Sequence, residues 1–204
     1  MIDDKGIPES FNGAFDIVAM AASAGGLRAI IAVLSGLPGD FPAAIAVVQH
    51  LDPHHRSLMA KILSRWTALR VKDAEDGEKI SRSTVYIARP DRHLLVSPDG
   101  ILTLSSSEPV HFVRPSADLL FESVAASYGG RAIAVVLTGT GVDGAAGVQA
   151  IKKVGGTVIV QDEDTAEFSG MPSAALKATD ADFILPLEEI ASALIALVTK
   201  GDAK

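Results

Sequence analysis

The sequence predicts an α/β domain built on a doubly wound, mostly parallel sheet of Rossmann-like type. Short, continuously apolar runs alternate with segments of helical periodicity along most of the chain. Strands that are apolar on both faces are typical of a parallel sheet covered by helices on both sides. One antiparallel hairpin, indicated by Ser97-Pro98-Asp99-Gly100 between two short apolar runs, interrupts the pattern. In such sheets the chemistry lies in loops at the carboxyl ends of the strands.

The first half of the chain contains most of the predicted strands. Continuous runs of branched and small apolar residues predict the strands, and apolar residues recurring every three to four positions predict the helices. In order, the predicted elements are strand 15–20, helix 27–37, strand 43–49, helix 57–69, strand 84–88 and the hairpin strands 94–96 and 101–104.

The second half of the chain alternates more regularly between helix and strand. The predicted elements are helix 116–127, strand 132–137, helix 145–154, strand 157–161, helix 172–178, strand 182–185 and helix 188–199. The polar ends of the chain predict two tails, residues 1–13 and residues 201–204. Residues 14–200 are therefore expected to form a single domain.

Composition excludes several classes of function. The chain has 204 residues, a length that suits one domain, and its net charge of -7 disfavours a nucleic-acid partner. It has no cysteine, which excludes disulfides, thiolate catalysis and cysteine zinc sites. The polar N-terminal stretch lacks the pattern of a signal peptide, and no apolar run approaches the ~20 residues of a membrane span. These features predict a cytoplasmic protein with no membrane insertion.

A glycine-rich loop follows the predicted strand at 132–137. Gly139, Gly141 and Gly144 have the spacing G-x-G-x-x-G, which is typical of dinucleotide-binding loops. Asp143 lies inside this loop, however, and would place a carboxylate against the pyrophosphate of a nucleotide. The fingerprint also normally opens the first βαβ unit of a fold. We therefore predict neither NAD nor any other cofactor.

Serine, histidine and aspartate follow three of the predicted strands, as Ser23, His50 and Asp143. Taken singly, Ser23 would be a helix cap and His50 a loop histidine bonded to the backbone. Taken together, they supply a nucleophile, a base and a carboxylate that orients the base. Their chain order differs from the Ser…Asp…His order of α/β-hydrolases. His54 and His55 lack an acidic or cysteine partner at a known spacing, so no metal site is predicted.

The chain resembles the catalytic domain of the chemotaxis protein-glutamate methylesterases (CheB type). The resemblance rests on segments in the family's order and spacing between about residues 15 and 198. These segments are "AASAGG" at 21–26, "VVQHLDP" at 47–53, "AEDGE" at 74–78, "VYIARPDRHL" at 85–94, "RPSADLLFESVA" at 114–125, "AVVLTGTGVDGAAG" at 134–147 and "VQDEDTAEFSGMP" at 160–172.

The resemblance implies hydrolysis of γ-glutamyl methyl esters on chemoreceptor helices, with release of methanol. Some members of the family also deamidate receptor glutamines. By this resemblance Ser23 is the nucleophile, His50 the base and Asp143 the orienting carboxylate. His93 and His111 lie in or beside matched segments, and we expect structural roles for them.

The resemblance also implies residues around the catalytic groups. Thr140 stands where the family places an oxyanion-hole amide, and Ala24, Gly141 and Met171 belong to the same site loops. Arg114 lies in the matched "RPS" segment. It is expected either to bind an acidic receptor surface or to pair with a nearby carboxylate.

The sequence departs from the family around the predicted nucleophile and before the first strand. Ala22 and Ala24 replace the family's usual glycine and threonine, and Val142 replaces an asparagine that often precedes the aspartate. The stretch before the first predicted strand is too short for the receiver domain of the familiar enzyme. We therefore expect regulation by a separate receiver-domain chain, constitutive activity or a fragment. A non-catalytic interaction module and a serine hydrolase with another substrate stay open as alternatives.

Overall fold

The computed structural model describes residues 15–50 and 57–199. Within these residues the strands are β1 (Ile17–Ala22), β2 (Ala44–Gln49), β3 (Arg70–Asp73), β4 (Thr84–Ile87), β5 (His93–Val96), β6 (Leu102–Ser105), β7 (Ala132–Val136), β8 (Thr157–Gln161) and β9 (Phe183–Leu185). The α-helices there are α1 (Gly26–Ser35), α2 (Met59–Leu63), α3 (Ala117–Tyr128), α4 (Ala145–Lys153), α5 (Gly170–Ala178) and α6 (Leu187–Thr199).

A seven-stranded sheet forms the centre of the described residues, in the order β3-β4-β2-β1-β7-β8-β9. All of its strand pairs are parallel. The strands β5 and β6 form a separate antiparallel pair. The predicted class, a doubly wound parallel sheet with one small hairpin, is thereby confirmed.

Alternate residues of each strand face opposite sides of the sheet, as the pleat requires. In β1, Ile17, Ala19 and Ala21 pack in the core that contains α3, α4, α5 and the β5–β6 hairpin. Val18, Met20 and Ala22 pack in the core that contains α1, α2 and α6. Every β1 side chain is therefore buried, which explains why the strand is apolar without alternation.

The order of the strands creates a crevice beside β1. After β1 the chain forms β2, then the edge strand β3 and then β4 between them, all on one side of β1. It later returns to add β7 on the other side of β1. The loops that follow β1 and β7 consequently leave the sheet toward different sides. Ligand sites in open α/β sheets form at such a switch point.

The prediction was wrong in the region of the second helix. The helix predicted at 57–69 ends at Leu63, and the strand Arg70–Asp73 was not predicted. This strand is four residues long, pairs only with β4 and has no fully buried side chain. An edge strand of that kind carries no apolar run for the sequence to reveal. The other predicted elements begin and end within two residues of their observed bounds.

Several sequence-based predictions fall on residues that the structure does not describe. They include the two tails at 1–13 and 201–204, together with His54 and His55. Among the residues that are described, no helix combines the length and the hydropathy that crossing a bilayer would need.

Helices α3 and α4 approach closely at Gly147. A larger residue at this position would test how tightly the two helices pack. A Cβ atom at Gly147 would lie 2.6 Å from Phe121 Cβ. We expect Gly147→Val to lower the free energy of unfolding by about 1–3 kcal/mol, because the added atoms overpack the interface. Urea denaturation followed by circular dichroism measures the change. Ala146→Val, at an exposed position of the same helix, is the control, and an equal loss in both variants would contradict the packing argument.

Candidate active site

Ser23 lies in a tight turn between β1 and α1. Its backbone N–H donates to the Thr138 carbonyl at 3.0 Å, and its own carbonyl accepts from Gly26 N at 2.9 Å. Gln49 Nε2 also donates to the Ser23 carbonyl at 2.7 Å. The residue before α1 is Gly25, with φ 75°, and no side chain caps this helix. Ser23 is thus held at the edge of the sheet by its backbone and does not serve as the helix cap.

His50 follows β2 directly and lies beside the Ser23 turn. The last residues of the neighbouring strands, Ala22 and Gln49, are paired in register. The His50 N–H donates to the Ala22 carbonyl at 3.2 Å, which continues this pairing by one residue. The structure therefore brings Ser23 and His50 to adjacent positions on the carboxyl edge of the sheet.

Asp143 contacts His50 directly, with 2.8 Å between Asp143 Oδ2 and His50 Nε2. The two side chains are 3% and 13% exposed, respectively, so the pair lies mostly out of water. Because Nε2 faces the carboxylate, Nδ1 is the ring nitrogen left to act as a base toward a hydroxyl. This orientation reverses the roles of the two nitrogens in the chymotrypsin-type triad.

The Asp143 carboxylate also occupies the N-terminus of α3. It accepts from Ser116 Oγ at 2.7 Å, from Ala117 N at 2.6 Å and from Asp118 N at 3.1 Å. Burial alone would raise the pKa of Asp143. The hydrogen bonds from His50, Ala117, Ser116 and Asp118 outweigh that effect and lower its pKa below the ordinary value. Asp143 is therefore held as an anion, which is the state that orients and stabilises an imidazolium.

A second layer of contacts fixes the residues that hold Asp143. His93 is fully buried, and its Nδ1 accepts from Ser116 N at 3.1 Å while its Nε2 donates to the Glu108 carbonyl at 3.1 Å. Asp118 accepts from Gly147 N at 2.7 Å. Neither Ser116 nor the Asp118 amide was recognised from the sequence. Ser116 showed only the signal of a helix N-cap, which does not reveal that a distant carboxylate shares the helix terminus.

The glycine loop approaches Ser23 at Gly139. A Cβ atom on Gly139 would lie 2.8 Å from Ser23 Cβ and 2.3 Å from Met171 Sδ, so only glycine fits there. The Gly139 N–H donates to the Phe168 carbonyl and the Gly139 carbonyl accepts from Met171 N, both at 2.9 Å. Met171 is buried beneath the loop. Gly139 thus serves close packing around the serine, whereas Gly141 and Gly144 adopt positive φ angles.

The remaining predicted loop residues lie around this contact. Thr140 and Gly141 are exposed between Gly139 and Asp143. The Ala24 carbonyl accepts from Thr138 Oγ1 at 3.1 Å, which ties the loop after β1 to the loop after β7. The oxyanion role of the Thr140 amide stays a prediction.

Arg114 forms one wall of a small cleft beside His50. The cleft has a volume of about 140 Å³, and Asp91, Phe112 and Val113 also line it. Arg114 donates from Nε and Nη2 to Asp91 Oδ1 at 2.8 and 2.5 Å. The sequence left two roles open for Arg114, binding of an acidic receptor surface and pairing with a nearby carboxylate. The structure contains the second, as the ion pair with Asp91. Its role in binding a substrate stays a prediction.

Within residues 15–50 and 57–199, no group of three or more histidine, aspartate or glutamate side chains is arranged to hold a metal ion.

The fold is a doubly wound α/β domain, and its site brings serine, histidine and aspartate, the residue types of a serine hydrolase, to neighbouring strand ends. The chain belongs to the CheB methylesterase family, whose family model matches residues 18–194. It is also similar to the crystal structure of the Thermotoga maritima CheB methylesterase catalytic domain, with a TM-score of 0.87 and 39% identity. That similarity covers 90% of this chain and 99% of the Thermotoga chain.

Curated relatives agree with this family. A protein-glutamate methylesterase/protein-glutamine glutaminase of Moorella thermoacetica is 38% identical over 96% of this chain and 50% of the relative. Protein-glutamate methylesterase FrzG of Myxococcus xanthus is 43% identical over 90% of this chain and 55% of the relative. A relative from Leptospira interrogans is 39% identical over 90% of this chain and 95% of the relative. The chain thus spans about half the length of the first two and nearly all of the third.

The lowered pKa of Asp143 predicts a loss of stability in acid. The folded state binds this proton less tightly than the unfolded chain does, so the stabilisation is fully present above the ordinary pKa of 3.8. It is lost as the pH falls through the lower folded-state pKa. Asp143→Asn should therefore lose less stability than wild type between about pH 6 and pH 3.

Urea midpoints measured across this pH range test the expectation. Asp40→Asn, which changes an exposed aspartate, is the matched control and should behave like wild type. If Asp143→Asn and wild type lose stability in parallel, the Asp143 carboxylate does not carry the acid dependence.

Proposed function

We propose that this protein is a protein-glutamate methylesterase that hydrolyses γ-glutamyl methyl esters on a chemoreceptor helical bundle and releases methanol. The observation that carries the proposal is the buried 2.8 Å contact between His50 and Asp143 beside the Ser23 turn. Membership of the CheB methylesterase family and the names of the Moorella and Myxococcus relatives support the same activity.

The proposed reaction proceeds through an acyl-enzyme. Ser23 Oγ attacks the ester carbonyl while His50 Nδ1 accepts its proton, and Asp143 stabilises the imidazolium that forms. Collapse of the tetrahedral intermediate breaks the C–O bond to the methoxy group, and His50 returns the proton so that methanol leaves. Water then attacks the acyl-enzyme with His50 again as the base, which regenerates Ser23 and leaves a glutamate.

The developing oxyanion requires hydrogen-bond donors near Ser23. The Gly139 amide already donates to the Phe168 carbonyl, so we assign the donor role to the next amide of the loop, that of Thr140. Ala24, Gly141 and Met171 shape the surrounding loops. The absence of a side chain at Gly139 lets the loop that carries the Thr140 amide pack directly against Ser23.

Deamidation of glutamine is a second candidate activity. It uses the same acyl-enzyme, with ammonia in place of methanol as the leaving group. The Moorella relative carries both activities in its name. Release of ammonia from an unmethylated receptor, lost in Ser23→Ala, would establish it.

A separate receiver-domain protein is the regulator that we propose, acting on the face that carries Ser23. We also propose residues 14–200 as one catalytic domain and the cytoplasm as its location. These parts of the proposal rest on the sequence and on the resemblance.

Ser23→Ala is expected to abolish methanol release from radiomethylated chemoreceptor membranes, because the nucleophile is removed. Ser64→Ala, at an exposed serine in the turn after α2, is the matched control and should retain wild-type release. Methanol release by Ser23→Ala at the wild-type rate would remove Ser23 from the mechanism.

A serine-directed phosphonate probe separates the alternatives if wild type releases no methanol. Labelling of wild type but not of Ser23→Ala would indicate a serine hydrolase with a different substrate. Failure of both proteins to react would favour a non-catalytic interaction module.

Asp143→Asn is expected to lower kcat by about 10⁴-fold, because the neutral amide neither orients the imidazole correctly nor stabilises the imidazolium. Steady-state kinetics on the methylated receptor measure the change, with Asp40→Asn as the control. A kcat within a factor of about two of wild type would exclude Asp143 from the triad.

A further inference from the structure

The turn at residues 110–113 combines backbone strain with an exposed aromatic side chain. Val110 and Val113 exchange two backbone hydrogen bonds of 3.1 and 2.9 Å across it. The two residues between them, His111 and Phe112, have φ angles of 49° and 65°. A turn with positive φ at both central positions normally contains asparagine and glycine. Histidine and phenylalanine are disfavoured there, because their Cβ atoms crowd the backbone.

Contacts on both sides of the turn hold it in this conformation. His111 Nε2 lies 3.3 Å from Asp118 Oδ2, which connects the tip of the turn to α3. At the base, Arg114 Nη1 donates to the carbonyls of Ser106 and Ser107 at 3.1 and 2.8 Å. The backbone of the turn that carries Phe112 is therefore braced from two directions.

Phe112 itself is fully exposed, at 103% of its reference area. Exposing an aromatic ring at a strained position lowers stability twice, through lost apolar burial and through the backbone. The position of the ring offers a reason, because Phe112 and His50 line the same cleft. His50 lies beside the Ser23 turn, so a molecule that brings an ester to Ser23 also comes near this cleft.

Two other exposed apolar residues lie on loops that form the same site. Val142 is 51% exposed and immediately precedes Asp143, and Phe168 is 40% exposed. The Phe168 carbonyl accepts from Gly139 N, so this residue belongs to the loop beside Ser23. We call Phe112, Val142 and Phe168 the apolar rim.

A helical protein substrate whose ester reaches Ser23 would lie across the loops that carry this rim. The side chain of a glutamate methyl ester is short, so the backbone that carries it must lie at the mouth of the cleft. On a helix, the residues three and four positions from the ester share its face. Apolar side chains at those positions would meet the rim while the ester reaches the serine.

The charge of the chain favours an apolar contact over long-range attraction. Its net charge is -7, and a helix that carries methylated and unmethylated glutamates is itself acidic. Like net charges oppose electrostatic steering between the two proteins. Short-range burial then contributes binding energy that long-range attraction does not, and an aromatic side chain is well suited to it.

We propose that Phe112 is a specificity-determining docking residue, which packs against apolar side chains flanking the esterified glutamate on a helical substrate protein. This inference rests on the methylesterase function proposed above. It explains how the site would prefer a protein substrate to a small ester. Phe112 acts on binding and takes no part in bond breaking.

The test compares two substrates, a methylated chemoreceptor bundle and the γ-methyl ester of a short glutamyl peptide. For Phe112→Ala we expect the ratio of kcat/KM on the bundle to kcat/KM on the peptide to fall about tenfold, mainly through KM for the bundle. Phe112→Asn, which suits positive φ, should lose as much. Phe112→Tyr should keep the wild-type ratio. Trp66→Ala, which removes a 58% exposed aromatic ring between α2 and β3, is the matched control and should also keep it.

The other outcomes overturn the inference. An unchanged ratio in Phe112→Ala refutes docking, and an equal loss on both substrates assigns the turn to support of the catalytic groups. A wild-type dimer that dissociates in Phe112→Ala, with the ratio unchanged, assigns the ring to self-association. If wild type hydrolyses the peptide ester but releases no methanol from the bundle, the proposed function is refuted. The helical substrate protein proposed as the partner of Phe112 is then refuted as well.

Discussion

The buried carboxylate of Asp143 is the constraint around which the site is organised. An anion removed from water is tolerated only when hydrogen bonds replace its hydration. Here the replacement comes from the first turn of α3, through Ser116, Ala117 and Asp118, and from His50. The position of α3 against the loop after β7 is therefore dictated by a charge. The same hydrogen bonds that keep Asp143 ionised direct one of its oxygens toward His50.

The topology of the sheet supplies the other half of the arrangement. Since β1 lies between β2 and β7, the loops after these three strands meet at one edge. Gln49 Nε2 strengthens this junction by donating to the carbonyls of Ser23 and His50, at 2.7 and 3.0 Å. Thr138 Oγ1 connects the opposite side by donating to the Ala24 carbonyl. The serine and the histidine are consequently held through their backbones, which leaves their side chains available for chemistry.

The strands and the three central residues of this site could be predicted from the sequence, whereas the hydrogen-bond donors to Asp143 could not. The strands β1, β2, β4, β7 and β8 were predictable because residues buried on both faces form continuous apolar runs. The edge strand β9 was predictable because its three residues are apolar although partly exposed. The strand-end rule then placed Ser23, His50 and Asp143 at one edge. The donors to Asp143 were not predictable. Two of them are backbone amides, which any residue type supplies, and they lie 25 and 26 positions away in the chain. The strand β3 was missed because three of its four residues are charged, so no apolar run marks it.

Positive φ angles near the site fall on two kinds of residue, glycines and residues with full side chains. In the loops around Ser23 and Asp143, positive φ angles fall on Gly25, Gly141 and Gly144, where glycine adopts them readily. Beside the same site, His111 and Phe112 adopt positive φ with full side chains. Selection for stability alone would favour glycine or asparagine at both positions. His111 contacts Asp118 and so has a structural use, whereas Phe112 projects into solvent. A side chain retained against both backbone preference and burial is most simply explained by a partner that buries it.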